Sequence, residues 1–129
     1  MKILVDSDFL VALYKKDDAN HKKAIENFKE IEKDVLVATN LVFQESVTVI
    51  SHRMGMNDAR AFHSSIRKLL AQEVRINEDV ERKSWNLFLK QAKKGTSFVD
   101  CANVVVYKEY KLDKMAAFDG FYKKHATVV

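Results

Sequence analysis

Proline is absent from this chain of 129 residues, and glycine occurs only at Gly55, Gly95 and Gly120. Those scarcities exclude flexible linkers, low-complexity tails and collagen-like stretches, and no internal repeat is visible. One continuous domain over residues 1–129 is expected. Cysteine is nearly absent too. Cys101 is alone, which excludes a disulfide-stapled secreted scaffold and fits a reducing compartment. Long hydrophobic runs are missing: Phe9 to Tyr14 is among the longest, far short of the roughly 18 residues of a membrane span. Acids at Asp6 and Asp8 interrupt the apolar start too early for a signal peptide. A cytoplasmic protein is the expectation.

The composition that remains is 47% hydrophobic and 31% charged, which describes an ordinary globular domain rather than a disordered chain. A domain of this size buries roughly two-thirds of its unfolded surface, enough for a core without staples. The 22 Lys and Arg outnumber the 18 Asp and Glu, giving a net charge of +4. That excess suits a polyanionic partner and equally a merely solvated surface.

Short apolar runs alternate with amphipathic stretches. Ile3-Leu4-Val5 predicts a buried strand, closed by Asp6-Ser7-Asp8, any of which can cap the next helix. That helix carries Phe9, Leu10, Ala12 and Leu13. Ala24, Ile25, Phe28 and Ile31 mark a second helix, and Val35 to Ala38 a second strand. Asn40 is placed to cap a helix from Leu41 to about Arg53, ended by Gly55. Asn57 opens a helix with Ala59, Phe62, Ile66 and Leu69 on one face, and Val74-Arg75-Ile76 reads as a weaker strand. Asn77 precedes a helix holding Trp85, Phe88, Leu89 and Ala92 that stops at Gly95. Ser97 opens the next. Lys114 to Phe118 predicts a strand, Asp119-Gly120 turns into a short helix, and Ala126 to Val129 suits a last strand. Strands separated by helices imply a parallel sheet covered on both faces, with ligands outside the carboxyl ends of the strands.

That rule gathers three acids. Asp6 and Asp119 end strands, and Asp100 lies in the first turn of the helix opened by Ser97, so all three share one rim. Two unit charges at ~4 Å repel by roughly 4 kcal/mol at a surface-like dielectric, and such a cluster is stable mainly with a bound cation or with some members protonated. Oxygen-only ligands favour Mg2+ and Mn2+. Helix capping explains each acid singly: Asp6 and Asp119 as N-caps, and Ser97-Phe98-Val99-Asp100 as a capping-box-like pattern. Glu45 is different, because Leu41, Val42, Thr48 and Val49 surround it on its helix. A carboxylate on a partly apolar face wants a partner, unless it borders a polar stripe with Gln44, Thr48 and His52.

At these residues the sequence resembles the PIN-domain nucleases, and in size and pattern the VapC-type toxins among them. The resemblance runs over essentially the whole chain. It rests on Ile3-Leu4-Val5-Asp6-Ser7, on Glu45, on Ser97-Phe98-Val99-Asp100-Cys101-Ala102 and on Ala117-Phe118-Asp119. It implies an α/β fold, a three-layer α/β/α sandwich with a central parallel sheet. It further implies Mg2+ or Mn2+ as cofactor, hydrolysis of RNA phosphodiester bonds, a homodimer and a small antitoxin protein. Asp6, Glu45, Asp100 and Asp119 align with the family's acidic ligands: Asp6 and Asp100 in direct metal contact, Glu45 as ligand or water-orienting base, Asp119 supporting a second metal position. Ser7 and Ser97 fit as hydrogen-bonding supports of the carboxylates. The sequence departs from the family at Asp8, where Asn or Ser is commoner and where an extra ligand arises, and at Ala117, where Thr often precedes the last acid.

Other features carry less. Lys15-Lys16 and Lys93-Lys94 flank the acidic rim in sequence and suit RNA backbone, more than Lys22-Lys23 and Lys123-Lys124 do. Cys101 has no base placed for nucleophilic work and reads as core. The four histidines show no zinc spacing. Trp85, Phe88 and Leu89 read as core or a dimer face. Asp6-Ser7-Asp8 after a strand also resembles the start of haloacid-dehalogenase phosphatases, without their usual Gly-Thr and leaving Glu45 and Asp100 idle. A non-catalytic PIN module that binds RNA or protein is the other alternative.

Overall fold

The computed structural model describes all residues 1–129. Four strands, β1 (Lys2–Val5), β2 (Val35–Thr39), β3 (Gln72–Val74) and β4 (Lys114–Ala116), pair in the order β3-β2-β1-β4, every pair parallel. Six helices connect them: α1 (Ser7–Tyr14), α2 (His21–Ile31), α3 (Asn40–Met54), α4 (Met56–Leu69), α5 (Glu78–Leu89) and α6 (Phe98–Glu109). A 3-10 turn, Gly120–Lys124, follows β4.

The period-2 geometry of the strands divides the core in two. Ile3, Val5, Leu36, Ala38 and Ala116 face one layer, packed with Phe9 and Leu10 of α1, Ala24 and Ile31 of α2, Val42 and Ile50 of α3, and Phe62 and Ile66 of α4. Leu4, Val37, Val74 and Met115 face the other, packed with Val80 of α5, Val104 to Val106 of α6, and Tyr122. This is the expected α/β/α sandwich. The strands step from β1 out to β3, and then the chain returns to pair β4 with the opposite edge of β1. That reversal puts a switch point, with its crevice, at the carboxyl ends of β1 and β4.

Several boundaries differ from the expected ones. Thr39, not Asn40, caps α3, its Oγ1 accepting from the Val42 amide at 3.2 Å; Asn40 Oδ1 instead accepts from the Ile76 amide at 3.0 Å. Helix α4 starts at Met56, directly after Gly55, whose φ of 93° breaks α3. β3 lies two residues earlier than Val74-Arg75-Ile76 suggested: it is an edge strand, needs one buried residue, and tolerates exposed Gln72. α5 stops at Leu89, where the Gln91 side-chain amide donates to the Leu87 carbonyl at 3.0 Å; Ala92 lies beyond it and is exposed. Trp85 and Leu89 are not core, being 45% and 74% exposed. At the C-terminus there is only an isolated bridge between Met115 and Val128. No helix is long and apolar enough to cross a membrane.

Candidate active site

The end of β1 starts the site. The Asp6 amide donates to the Ala116 carbonyl at 3.0 Å, extending the β1–β4 pairing by one residue. Asp6 stands at the N-cap of α1, yet its carboxylate makes no capping hydrogen bond. It receives Nδ2 of Asn103 at 2.9 Å instead, across the sheet from α6. The capping explanation therefore fails for Asp6.

Asn103 belongs to a buried relay. Its Nδ2 also donates to the Tyr122 hydroxyl at 3.0 Å, and that hydroxyl donates to Asp100 Oδ1 at 3.0 Å. Thr39 Oγ1 donates to Asn103 Oδ1 at 3.4 Å, which fixes the amide with its nitrogen toward the acids. The other oxygen of Asp100 accepts from the Ser97 amide, and Ser97 Oγ accepts from the Asp100 amide, closing a capping box. Capping and site membership coexist in Asp100. Helices α1 and α6 both point their N-termini here, where their dipoles favour negative charge.

The electrostatics follow from the burial. Asp6 is 3% exposed; burial, with the charges of Asp8, Asp100 and Glu45, holds its carboxyl well above the usual range, against the Ser7 amide. Glu45 is half-buried on α3 and accepts a hydrogen bond from Ser7 Oγ. Burial likewise raises Tyr122, so its hydroxyl stays protonated and donates to Asp100.

Asp8 has a different part from the extra ligand its position suggested. Its Oδ2 accepts from the backbone amides of Phe118 and Asp119, both at 3.0 Å. Those two amides are thereby turned away from the ladder, which is why β4 ends at Ala116 rather than Phe118. Asp8 Oδ1 is buried with no partner, and burial raises its carboxyl. Asp119 caps the 3-10 turn by accepting from the Phe121 amide at 2.9 Å and stays exposed. Its charge acts on Asp8, not among the groups shifting Asp6. So Asp8, Asp100 and Glu45 each act on Asp6, while Asp119 acts on Asp8.

No three of the acids, histidines and cysteine converge tightly enough to form a closed metal cage unaided. Lys93 and Lys94 line a groove with Asp119. Lys15 is paired with Asp17, and Lys16 is exposed. Cys101 is buried, its thiol pushed up to about 11 by burial and by Asp100, so it is core. Asn103 and Tyr122 were not legible as site residues; the one available signal was a polar Asn three residues after Asp100, followed by Val104-Val105-Val106.

A parallel α/β/α sheet with buried carboxylates at its switch point places the chain in a class of acidic-rimmed α/β domains. The PIN domain family model matches residues 3–127, and the chain belongs to that family. Among solved structures it is similar to the Mycobacterium tuberculosis toxin VapC20, which cleaves the sarcin-ricin loop. The identity is 27% over 95% of this chain and 93% of that one, with a TM-score of 0.83. VapBC2 from Rickettsia felis, solved with a promoter DNA fragment, shares the fold at 10% identity, covering 100% of this chain and 98% of that one (TM-score 0.75). FitAcB from Neisseria gonorrhoeae shares it at 16% identity, 98% and 95% coverage and a TM-score of 0.71. No curated protein sequence matches the chain.

Proposed function

We propose that this chain is a divalent-metal-dependent endoribonuclease that hydrolyses RNA phosphodiester bonds, the toxin of a toxin–antitoxin pair. The observation that carries this reading is the buried relay Asp6–Asn103–Tyr122–Asp100 at the β1–β4 switch point of a PIN domain. The similarity to a toxin named for cleaving the sarcin-ricin loop supports the substrate class.

A hard cation fits the donor set. The donors are carboxylate oxygens, which suit Mg2+ or Mn2+. Asp6 is strained as an anion by burial and by its acidic neighbours, and a cation reverses that strain. Mg2+ commonly keeps several waters and uses one or two carboxylates with substrate phosphate, so it needs no closed cage of protein ligands. Asp6 and Asp100 would hold the ion in this reading, Glu45 would serve as a further ligand or water-orienting base, and Asp119 would support a second metal position.

When bound, the ion supplies positive charge to the scissile phosphate and acidifies water. The chain's own groups do the remaining work. Glu45, aimed by Ser7 Oγ, accepts the proton of the attacking water. Asn103 and Tyr122 keep Asp6 and Asp100 in fixed rotamers. Ser97 secures Asp100 from the opposite side. A phosphatase built on Asp6 and Asp8 would leave Glu45 and Asp100 idle, whereas Asp100 is joined to Asp6 through Tyr122 and Asn103.

The partner reading is an antitoxin protein, supported by neighbours solved as VapBC and FitAB assemblies. Self-association is supported by the apolar surface of Trp85 and Leu89 on α5, where Trp85 lies 4.4 Å from the Phe98 ring. The test is Mn2+ titration by calorimetry followed by incubation with RNA. Mn2+ binding, cleavage abolished by EDTA, and loss of cleavage in Asp100→Asn with an unchanged circular dichroism spectrum are expected. Mn2+ binding with intact RNA would favour the non-catalytic module, and absence of both would overturn the reading.

A further inference from the structure

Beyond Asp119 the surface opens into a groove of about 560 Å³, within the range of about 300–1,000 Å³ common for small-ligand sites. Lys93 and Lys94 line it from the α5–α6 loop, and Lys124 from the 3-10 turn. Gly95 shapes that loop with a φ of 110°, a conformation other residues rarely take. Phe121 lines the same groove, half-buried, with its ring 5.7 Å from Tyr122 and 4.8 Å from His125.

The three lysines are in no ion pair, although Lys15 and Lys83 elsewhere have acidic partners within 4.0 Å. Unneutralised ammonium groups in one groove concentrate positive potential beside an acidic centre. Lysines that hold phosphates, next to an aromatic face that takes a base, are the elements by which single-stranded RNA is bound. The groove also adjoins the carboxylates through covalent and hydrogen-bonded links. Asp119 forms its wall, and the Asp119 amide is held by Asp8, two residues from Asp6.

We propose that this groove is the subsite for a nucleotide flanking the cleaved bond, with Lys93, Lys94 and Lys124 on its phosphates and Phe121 against its base. The inference rests on the RNA-cleaving reading and deepens it: the charged centre supplies the chemistry, and the groove supplies strand position. Because stacking tolerates any base, the subsite fixes register more than sequence.

The test measures binding apart from cleavage. A labelled single-stranded RNA octamer is titrated in EDTA with the full chain and its variants, and anisotropy is followed over a salt series. Phe121→Leu is expected to weaken binding about ten-fold, the scale of one missing base stack, and Phe121→Tyr to restore it. The double variant Lys93→Ala/Lys94→Ala is expected to flatten the slope of log K against log salt by about 1.4, roughly 0.7 for each single-strand phosphate left without its lysine. This variant lies on an exposed loop and keeps the test valid should Phe121→Leu fail to fold. No RNA binding by the wild type, or wild-type affinity and slope in the variants, overturns the subsite. A chain that cleaves RNA while its variants bind like the wild type keeps the nuclease reading and loses the subsite. One that binds through these residues and cleaves nothing keeps the subsite alone.

Discussion

Replacing Asp6 with Asn should stabilise the metal-free protein while removing its response to metal. Asn keeps an oxygen to accept Asn103 Nδ2 and fits the same buried space, but it carries no charge. Hydrogen bonds of 2.9, 3.0 and 3.0 Å link an oxygen of Asp6 to one of Asp100, so the two lie less than about 9 Å apart. At an effective dielectric of 20, two charges at that limit repel by about 2 kcal/mol. Asp8 and Glu45 add to the repulsion, and the dipoles of α1 and α6 offset part of it. About 2 kcal/mol corresponds to a rise of roughly 5–10 °C in melting temperature for a domain of this size.

The pH dependence has a definite sign. The folded-state carboxyl of Asp6 is raised above its unfolded value, so its contribution is fully present below pH 3.8 and is lost as pH rises through the folded value. The advantage of Asp6→Asn should therefore be absent near pH 3.5 and grow toward pH 8. Thermal melts in EDTA across that range measure it. Adding Mn2+ to about 100 times its dissociation constant should stabilise the wild type by roughly 2.7 kcal/mol and leave the variant unmoved. A variant no more stable than wild type in EDTA at pH 8, or an equal Mn2+ shift in both proteins, would refute the electrostatic reasoning.

Further substitutions probe the neighbours. Tyr122→Phe deletes the donor to Asp100 and leaves Asn103 short of one acceptor in a fully buried position. It should cost about 1–3 kcal/mol in denaturant unfolding and lower RNA cleavage at least ten-fold. Asp8→Ala removes the acceptor of the Phe118 and Asp119 amides and should destabilise the fold, whereas Asp8→Asn, which keeps an acceptor oxygen, should not. The contrast is read by melting temperature. Cys101, with its thiol pushed up to about 11 and buried, should resist iodoacetamide in the native protein at pH 8 and react once unfolded, as mass spectrometry would report.

Where local physics decides, the sequence was a sufficient guide. Ile3 to Val5 cannot be anything but a buried strand in this setting, Asn77 caps α5 through the Val80 amide as its position implies, and Ser97 with Asp100 forms the capping box. The boundaries that moved depend on neighbours. β3 is placed by its pairing of Gln72 with Val37 and Val74 with Thr39, and β4 is cut short by a carboxylate from α1, more than a hundred residues away in sequence. The site divides in the same way. Asp6, Glu45 and Asp100 were legible as acids at expected positions. Asn103 and Tyr122 were not, because their significance lies in hydrogen bonds between α6, β1 and the C-terminal turn that exist only after the layers close. Asp119 behaves as the helix cap its local sequence suggested.

The central claim, that buried carboxylates at the end of β1 and the start of α6 share one divalent ion, is tested most directly by anomalous diffraction from crystals grown with Mn2+. The account predicts one strong peak within bonding distance of Asp6 and Asp100 oxygens, lost in Asp6→Asn. Saturating Mn2+ with no peak between these two residues, or with the ion held by other groups alone, would contradict it.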